Sequence, residues 1–282
     1  MKKIVFGSFA FLIACTTTYG DNVKRNAFQN SFYTWASLAP PPEQLLPIDI
    51  GNHQSCPDDM VEVNGYYCTF LDQRCLEWRD SEQRVCLRFE KNYAKCLGSE
   101  IHMRFCADQF EIPNIPNTKP TLGMTYYDVE NFCKSKDKRI GTDQEWTLAA
   151  EGNERSPYPH SWDRIEGWCN WDKPHIDVDE HKLFQIGTIR DAEIARLDQS
   201  NISGSNTNCY TDWGGKRLYD MQANADEWTK NVSQGGKPYI GLLKGGYWAK
   251  GLVRNRARPS TDAHGPGFNG YEVSGRCFKD IR

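Results

Sequence analysis

Helical periodicity along this chain is confined to two short segments near its middle. Thr125 is a suitable N-cap. The apolar side that follows it consists of Tyr127, Val129, Phe132 and Cys133. Thr142 and Glu145 have the Thr-x-x-Glu spacing of a capping box, and apolar residues continue to Gly152, a residue type common at helix ends. The pattern predicts two helices, one opened by Thr125 and one that runs from Thr142 to about Gly152.

Outside these helices, short apolar runs bounded by turn residues predict strands. The first run is Met60–Val63, after which Asn64-Gly65 predicts a tight turn into Tyr66-Tyr67-Cys68. Further strands are predicted at Phe105–Phe110, Leu242–Trp248, Val253–Arg258 and Tyr271–Phe278. Residues 153–218 show little regular pattern and are predicted to be mostly loop, which a disulfide between Cys169 and Cys209 would stabilise.

The first residues have the pattern of an export signal. Lys2 and Lys3 precede an apolar run that ends at Ala14 and is too short to cross a bilayer as a helix. Leu12-Ile13-Ala14-Cys15 resembles a bacterial lipobox, in which the cysteine becomes the lipidated first residue of the mature protein. We therefore expect lipidation at Cys15, and the alternative is an ordinary signal peptide cut near Gly20.

Three segments of the chain follow from this pattern. Residues 1–15 are the expected signal peptide. Residues 16–50 are polar and contain Pro40-Pro41-Pro42, as in an extended tether. Residues 51–282 are expected to form the folded domain, of which residues 51–110 are its cysteine-rich N-terminal part.

Composition places the chain among ordinary globular proteins. It has 282 residues, of which 39% are hydrophobic and 25% charged, with a net charge of −3. These values are typical of a soluble domain with an ample core. Because the charge is slightly negative and no basic stripe is present, we expect no nucleic-acid partner.

Cysteine usage supports export into an oxidising compartment. The chain has 11 cysteines, and ten remain when Cys15 is set aside. An even number in an exported chain predicts five disulfides. Zinc is the alternative, but the sequence contains no Cys-x-x-Cys pair. The six cysteines of residues 51–110 allow fifteen pairings, which the sequence leaves open.

Several motifs together resemble the formylglycine-generating enzyme family, also called the sulfatase-modifying factor domain. Lys138 to Trp146 (KRIGTDQEW) resembles the family's Lys-Arg-Leu-Pro-Thr-Glu-x-Glu-Trp segment, and Leu218 to Trp228 (LYDMQANADEW) resembles its Leu-Tyr-Asp-Met-x-Gly-Asn-x-x-Glu-Trp segment. Leu243 to Trp248 (LKGGYW) is similar to its Arg-Gly-Gly-Ser-Trp strand, and Gly275-Arg276-Cys277 is similar to its closing Gly-Phe-Arg-Cys. The motifs occur in family order over about residues 58–280.

This resemblance implies a fold and one disulfide. It implies a single α+β domain of the formylglycine-generating-enzyme type, related to C-type lectins, with little regular secondary structure and with stabilising disulfides. It also implies a disulfide between the helix cysteine and the closing strand, here Cys133 to Cys277.

The resemblance further implies calcium as a cofactor. The family carries a calcium site on the loop that matches Asp220 to Glu227, and the positions that match its ligands are Asp220, Ala223, Ala225 and Glu227. Carboxylates and backbone carbonyls are suitable calcium ligands. The usual glycine is Ala223 here, where a positive φ costs about 1 kcal/mol. A turn held by internal hydrogen bonds without metal is the alternative. A second family site begins at the position of Asn170.

The chain departs from the family at the catalytic thiols. The active enzymes bind copper through two cysteines after the Gly-Gly strand, because soft sulfur selects Cu(I). Counting from Gly245-Gly246, the matching positions are Lys250 and approximately Asn255. Neither side chain is a soft ligand, so copper and the family's oxidase chemistry are not expected.

Arginines occupy the region where the thiols would lie. Arg254, Arg256 and Arg258 alternate, which on a strand would place three guanidinium groups on one face. With Trp248 and His264, Arg254 and Arg256 form a candidate ligand groove, in which guanidinium groups bind carboxylate, sulfate or phosphate. The alternative is that some of the arginines pair structurally with Asp220, Asp226 or Glu272.

These observations predict a non-oxidative binding or scaffold domain of the bacterial cell envelope. Its expected partners are an envelope protein, a peptide or a glycan, with the membrane reached through the lipid anchor. A protein-modifying enzyme of the same family that uses a different catalytic set is the alternative.

Overall fold

Short elements connected by long turns make up the part of the chain that the structure describes. The structure is a computed structural model and describes residues 56–82, 84–233 and 239–281. The expected signal peptide, the lipidation site at Cys15 and the tether at residues 16–50 lie outside the described residues. No helix among the described residues is both long and apolar enough to cross a membrane.

The strands are β1 (Met60–Cys68), β2 (Leu71–Trp78), β3 (Cys86–Cys96), β4 (Glu100–Asp108), β5 (Arg139–Ile140), β6 (Tyr210–Trp213), β7 (Lys216–Tyr219), β8 (Asp226–Lys230), β9 (Gly241–Lys244), β10 (Ser260–Thr261), β11 (Val273–Gly275) and β12 (Cys277–Asp280). The helices are α1 (Tyr126–Ser135), α2 (Asp143–Glu151), α3 (Glu180–Leu183) and α4 (Thr188–Leu197).

Both helices predicted from periodicity are present, and their caps are the predicted ones. The Thr125 hydroxyl accepts a hydrogen bond from the backbone N–H of Asp128 at 3.1 Å. Thr142 and Glu145 form the predicted capping box, in which the backbone N–H of Thr142 donates to the Glu145 carboxylate at 2.8 Å. Gly152 ends α2 with φ +66°. The helix predictions are therefore confirmed.

The larger antiparallel sheet has the strand order β1-β4-β12-β5. Strand β1 is continuous from Met60, opposite Asp108, to Cys68, opposite Glu100. The predicted turn at Asn64-Gly65 is therefore wrong: both residues pair with β4, and nine-residue pairing outweighs the local turn signal. A Cβ at Gly65 would lie 2.5 Å from the Asn153 side-chain oxygen and 3.2 Å from the Trp213 ring, so a larger residue would require these side chains to shift.

The second four-stranded sheet has the order β10-β9-β8-β11, with β8 and β11 parallel. Strand β9 ends at Lys244, earlier than predicted, because Gly245 and Gly246 adopt φ of +86° and +70°. The predicted strand at Val253–Arg258 is wrong, since these residues form consecutive turns. The predicted strand at Tyr271–Phe278 is divided into β11 and β12 by Arg276.

The segment predicted to be mostly loop contains more structure than expected. Helices α3 and α4 and the hairpin of β6 and β7 all lie within or at the end of residues 153–218. Hydrophobic periodicity does not predict these helices because they bury almost no apolar face. Helix α3 buries no residue, and α4 buries only Glu193 and Leu197.

Five disulfides join distant parts of this domain, as the cysteine count predicts. Three lie within the cysteine-rich N-terminal part, and the sequence had left their pairing open. Cys133 is bonded to Cys277 as the resemblance implies, and Cys169 is bonded to Cys209. The bonds of the N-terminal part are Cys56–Cys106, Cys68–Cys96 and Cys75–Cys86.

The core is aromatic. Trp146 of α2 packs between the larger sheet and the loop that follows β7, and Trp228 of β8 packs against α1. A third cluster surrounds Tyr158, Trp171 and the Cys169–Cys209 disulfide. The loops that follow β7 and β9 are joined to each other, since the backbone N–H of Ala223 donates to the Gly245 carbonyl at 2.9 Å.

Candidate functional site

The loop between β7 and β8 contains the predicted calcium ligands. Its backbone turns through positive φ at Asp220 (54°), Ala223 (66°) and Asn224 (61°). Ala223 therefore does adopt the conformation that the family's glycine serves, and this residue carries the cost of about 1 kcal/mol that an alanine has there. The conformation is kept because the loop is buried and hydrogen-bonded on several sides.

Glu227, one of the predicted ligands, is held by two donors of the protein itself. Its carboxylate pairs with the Arg276 guanidinium at 2.9 Å and accepts a hydrogen bond from the Trp146 indole N–H at 2.7 Å. Arg276 also donates to the carbonyls of Asp108 and Tyr219. Arg276 and Glu227 are buried, so the guanidinium joins β8 to the backbone of β4 and β7, and the Glu227 carboxylate adds a contact to α2.

Glu111 belongs to the same site, although sequence reasoning did not select it. Its carboxylate accepts hydrogen bonds from the backbone N–H of Ala225 at 3.1 Å, from the Asn224 amide at 2.7 Å and from the Ser203 hydroxyl at 2.8 Å. The one signal available in the sequence is an acid between two apolar residues, Phe110 and Ile112. Burial raises the pKa of Glu111 well above its ordinary value, with Asp220 and Glu227 contributing.

Three buried carboxylates therefore face a single guanidinium. In their ionised forms, Glu111, Asp220 and Glu227 would carry three negative charges against the one positive charge of Arg276. Asp220 is held by the backbone N–H of Gly204 at 2.6 Å and by a longer contact to Asn206 at 3.5 Å. Burial raises the pKa of Asp220 to about 6. Because burial raises the pKa of both Glu111 and Asp220, the site favours their protonated forms unless a further cation is present.

The ligand set of such a cation must include backbone oxygens. Among the described residues, no three side chains of His, Cys, Asp or Glu converge on a point that a metal ion could occupy. Calcium accepts backbone carbonyls and amide oxygens, so this arrangement fits calcium better than zinc.

Asn170, the start of the second predicted calcium site, lies against the same loop. Its amide donates to the Asn224 side-chain oxygen at 2.9 Å and to the Gln199 carbonyl at 2.9 Å. Its own side-chain oxygen is buried and accepts no hydrogen bond from a described residue. A buried amide oxygen without a donor is suited to a cation. The structure thus brings Asn170, the start of the second predicted calcium site, into contact with Asn224 of the loop predicted to form the first.

The arginines of the predicted groove do not share one face. Arg254 forms an ion pair with buried Asp226, and Arg258 pairs with Glu151 at 2.6 Å. Arg256 turns toward the core, where its guanidinium lies 5.5 Å from the centre of the Phe89 ring. The structural alternative raised by the sequence is correct for Arg254, which binds Asp226, whereas the partner of Arg258, Glu151, was not among the acids that it named.

Trp248 and His264, the other predicted groove residues, also differ in their surroundings. Trp248 is 2% exposed and packs against Tyr247 and Tyr271. His264 is half-buried and stacks on Phe268, with 3.7 Å between ring centres. Burial raises the pKa of Asp226, and Arg254 and His264 are among the nearby groups that oppose this rise.

No thiol is available where the active enzymes place theirs. Lys250 is exposed at the first position. Asn255, at the second, is buried and donates its amide to the Tyr247 carbonyl at 3.1 Å. All ten cysteines of the described residues are consumed in disulfides, so none can bind a metal as a thiolate.

Comparison with known proteins decides the family. The model of the sulfatase-modifying factor enzyme 1-like domain matches residues 64–281, which is more than half of the chain. The chain belongs to this family. Its fold is accordingly the α+β fold of formylglycine-generating enzymes, as the motifs predicted.

Two relatives of this sulfatase-modifying-factor-like chain are mammalian proteins with the same name, inactive C-alpha-formylglycine-generating enzyme 2. The Bos taurus protein is 27% identical over 145 residues, which cover 50% of this chain and 44% of that protein. The Mus musculus protein is 26% identical over 173 residues, which cover 57% and 52%. The chain thus spans about half the length of these curated relatives.

Similar solved structures share little sequence with the chain. CarF is 13% identical, with 80% of this chain and 99% of that chain covered and a TM-score of 0.49. PvdO from Pseudomonas aeruginosa is also 13% identical, with coverages of 79% and 94% and a TM-score of 0.47.

Proposed function

We propose that this chain is a non-oxidative binding domain of the sulfatase-modifying factor family, exported and attached to a membrane of the cell envelope through Cys15. The observation that carries the proposal is the chemistry at the two thiol positions. Lys250 offers an exposed ammonium and Asn255 a buried amide, and every described cysteine is in a disulfide. The inactive state named for the two mammalian relatives supports it.

Copper chemistry would need ligands that these residues cannot supply. Cu(I) is held by soft thiolate or thioether sulfur, whereas an ammonium carries no lone pair and an amide is a hard, weak ligand. A disulfide sulfur is not a thiolate. We therefore expect the purified chain to bind Cu(I) no more tightly than a variant in which Lys250 and Asn255 are both alanine, as measured by competition with a colorimetric Cu(I) chelator. Saturable binding that this variant lacks would contradict the proposal.

Calcium is the proposed cofactor. Asp220 and the backbone carbonyls of Ala223 and Ala225 would hold it, with Glu227 next to them, and Asn170 would contribute to an adjacent site. The ion would neutralise the excess carboxylate charge and so stabilise the loop. The buried carboxyl groups of Glu111, Asp220 and Glu227, which outnumber the nearby Arg276 guanidinium, support this assignment.

Calcium removal provides a direct test of that cofactor. We expect 1 mM Ca²⁺ to raise the melting temperature by several degrees relative to EDTA, because the ion binds only the folded loop. Asp220→Asn should abolish most of this shift, and Asp262→Asn should leave it unchanged. An identical melting temperature in Ca²⁺, Mg²⁺ and EDTA would show that internal hydrogen bonds alone organise the loop.

Export and anchoring are also proposals, supported by the amino-terminal pattern and by the five disulfides, which require an oxidising compartment to form. Labelling with an alkyne fatty acid in a bacterial host should mark the full chain, and Cys15→Ala should lose the label. Peptides, glycans and envelope proteins remain the proposed partners.

A further inference from the structure

The outermost strand of the larger sheet, β1, has one edge that pairs with no described strand. Its sheet has the order β1-β4-β12-β5, so β1 has a neighbour on one side only. The register with β4 runs without interruption from Met60 to Cys68. The other outer strands of the two four-stranded sheets, β5, β10 and β11, contain only two or three residues each. With nine residues, β1 therefore provides the longest free edge of these two sheets.

The hydrogen bonds at the two ends of this ladder show which backbone groups of β1 point outward. In an antiparallel pair, opposite residues alternate between pairs that exchange hydrogen bonds and pairs that do not. At one end, the Gln109 N–H donates to the Asp59 carbonyl at 3.2 Å, and at the other end the Thr69 N–H donates to the Ser99 carbonyl at 2.9 Å. Because the register between these ends is continuous, the odd-numbered residues of β1 are the ones that bond to β4.

The even-numbered residues of β1 carry the free backbone groups. Glu62, Asn64 and Tyr66 direct their N–H and C=O groups away from β4, and no described residue forms a backbone hydrogen bond with them. Asn64 and Tyr66 are exposed, so this part of the edge faces solvent. Free edges are commonly protected by a proline, a lysine or a bulge, and β1 has none of these. The edge is therefore a template for a further strand.

A groove of about 480 Å³ lies beside this edge, which is within the usual size range of ligand pockets. Residues of β1, of the β6–β7 hairpin and of the turn after α2 line it, among them Glu62, Asn64, Asn153, Trp213, Gly214 and Lys216. Gly65 points to the core face of β1, where a Cβ would lie 3.2 Å from the Trp213 ring. Since the β6–β7 hairpin forms a sheet of its own, Trp213 supports the edge from the core side and leaves the outward hydrogen-bonding groups unpaired.

Lys216 carries the uncompensated charge of this groove. Two charged side chains line the groove, Glu62 and Lys216. The Glu62 carboxylate pairs with Arg104 at 2.7 Å, whereas Lys216 is exposed and forms no ion pair with a described residue. The acids that are near in sequence, Glu154 and Asp212, do not line the groove. The groove therefore offers one free positive charge, next to the edge of β1, to a ligand.

We propose that the free edge of β1 binds an extended peptide segment of a protein partner as an additional strand, with an acidic side chain of that segment at Lys216. The backbone groups of Glu62, Asn64 and Tyr66 supply main-chain hydrogen bonds, and the groove supplies selectivity for the side chain. A carboxylate forms a charge-assisted hydrogen bond with an ammonium group. This inference rests on the proposed binding function, and it names the class of partner and the surface that binds it.

A peptide fits this edge better than a second copy of the chain does. The free groups recur at every second residue, about 6.8 Å apart, which is the repeat of an extended peptide backbone. Pairing of β1 with β1 of another copy would offer Lys216 only Glu62 from that strand, because Glu62 is the one acid of β1. Glu62 is already bound to Arg104. The free charge of Lys216 is therefore better matched by an acidic peptide.

The test measures binding of the peptide acetyl-Thr-Val-Asp-Val-Thr-amide to the full chain in detergent by calorimetry. Asn64→Pro removes the outward N–H of residue 64 and places a ring on the edge, but it spares the ladder with β4, as edge prolines do. Asn64→Ala is the matched control, because both variants lose the side-chain hydrogen bond to His102 and only the proline loses the N–H. We expect Asn64→Pro to weaken binding at least about tenfold relative to Asn64→Ala.

A second variant leaves β1 unchanged and so keeps the test independent of folding of the edge. The wild type should bind the aspartate peptide about three- to tenfold more tightly than the same peptide with asparagine. Lys216→Gln should remove this preference, and Lys95→Gln, exposed on β3, should keep it.

Three results would overturn the proposal. These are no binding of the aspartate peptide to the wild type, equal binding to Asn64→Pro and Asn64→Ala, and dimerisation of the full chain, measured by sedimentation, that Asn64→Pro abolishes and Asn64→Ala keeps. The last result would assign the edge to a second copy. Copper binding is measured separately, so failure of this inference is distinguishable from failure of the non-oxidative function.

Discussion

Several buried ion pairs in this domain connect distant parts of the chain. Glu227 pairs with Arg276, and Glu151 pairs with Arg258. The partners are separated by 49 and 107 residues, respectively. Each pair therefore joins elements that the chain alone would not hold together, and removal of one partner leaves the other as a buried, unpaired charge.

Replacement of Arg276 should lower the free energy of unfolding strongly. It is fully buried and binds Glu227 together with two carbonyls. Arg276→Met should lower the free energy of unfolding by roughly 3–5 kcal/mol, because it strands a buried carboxylate. Urea denaturation measures this, with Arg84→Met in an exposed ion pair as the control. A loss no larger than that of the control would show that the pair contributes little.

Glu272 should make stability depend on pH. Burial and the nearby charge of Asp226 raise the pKa of Glu272 to about 7, above the ordinary value of about 4.3 in an unfolded chain. The folded state therefore binds an extra proton between these values. The resulting stability is fully present below about pH 4 and is lost as the pH rises through 7.

The Glu272→Gln variant isolates the contribution of Glu272 to the pH dependence of stability. Wild type should lose on the order of 2–3 kcal/mol more than Glu272→Gln between pH 4.5 and pH 8. Asp220 contributes in the same direction in both proteins, so the difference between the two curves is the informative quantity. Parallel curves would mean that Glu272 titrates normally.

At the residue scale, the sequence predicts that buried arginines and acids form ion pairs better than it predicts which residues pair with each other. It identified Asp226 and Glu272 as acids that could neutralise the arginines, and the first of these does bind Arg254. It did not identify Glu111, because a lone acid at the end of a strand carries no motif. Ion pairs between residues that are far apart in the chain depend on the fold, and the local sequence does not determine the fold.

At the element scale, predictions that depend on local hydrogen bonds succeeded. The capping residues Thr125 and Thr142 act within three residues of themselves, so the sequence suffices to place α1 and α2. The Asn64-Gly65 turn failed because pairing of β1 with β4 overrides it. The strand at Val253–Arg258 failed because these residues form turns and bends, from which Arg254 and Arg258 reach Asp226 and Glu151.

The Cys133–Cys277 disulfide connects α1 to β12 across a separation of 144 residues. In the chain-entropy model, closing a loop of this length contributes about 4–5 kcal/mol. Replacement of both cysteines by serine should therefore lower the melting temperature by about 10 °C or more. The same change at Cys75 and Cys86, which close a separation of 11 residues, should have a smaller effect. Equal shifts would show that loop length does not govern the stabilisation.

At the scale of the whole molecule, motif order was the most informative signal. Four motifs in the order of one family predicted the fold and the Cys133–Cys277 bond, and family membership bears out the fold. The pairing of the other cysteines and the position of Glu111 beside the 220–227 loop needed the structure. An irregular fold has few repeating patterns, so its long connections cannot be derived from periodicity.

The central claim is that this member of the family binds without oxidising. Full chain, solubilised in detergent, would be incubated with Cu(I), oxygen and a cysteine peptide of the sulfatase type, and peptide mass followed over time. The account predicts an unchanged peptide mass, because no described thiol can bind copper. Conversion of the peptide thiol to an aldehyde, seen as the corresponding mass loss and dependent on the folded chain, would contradict it.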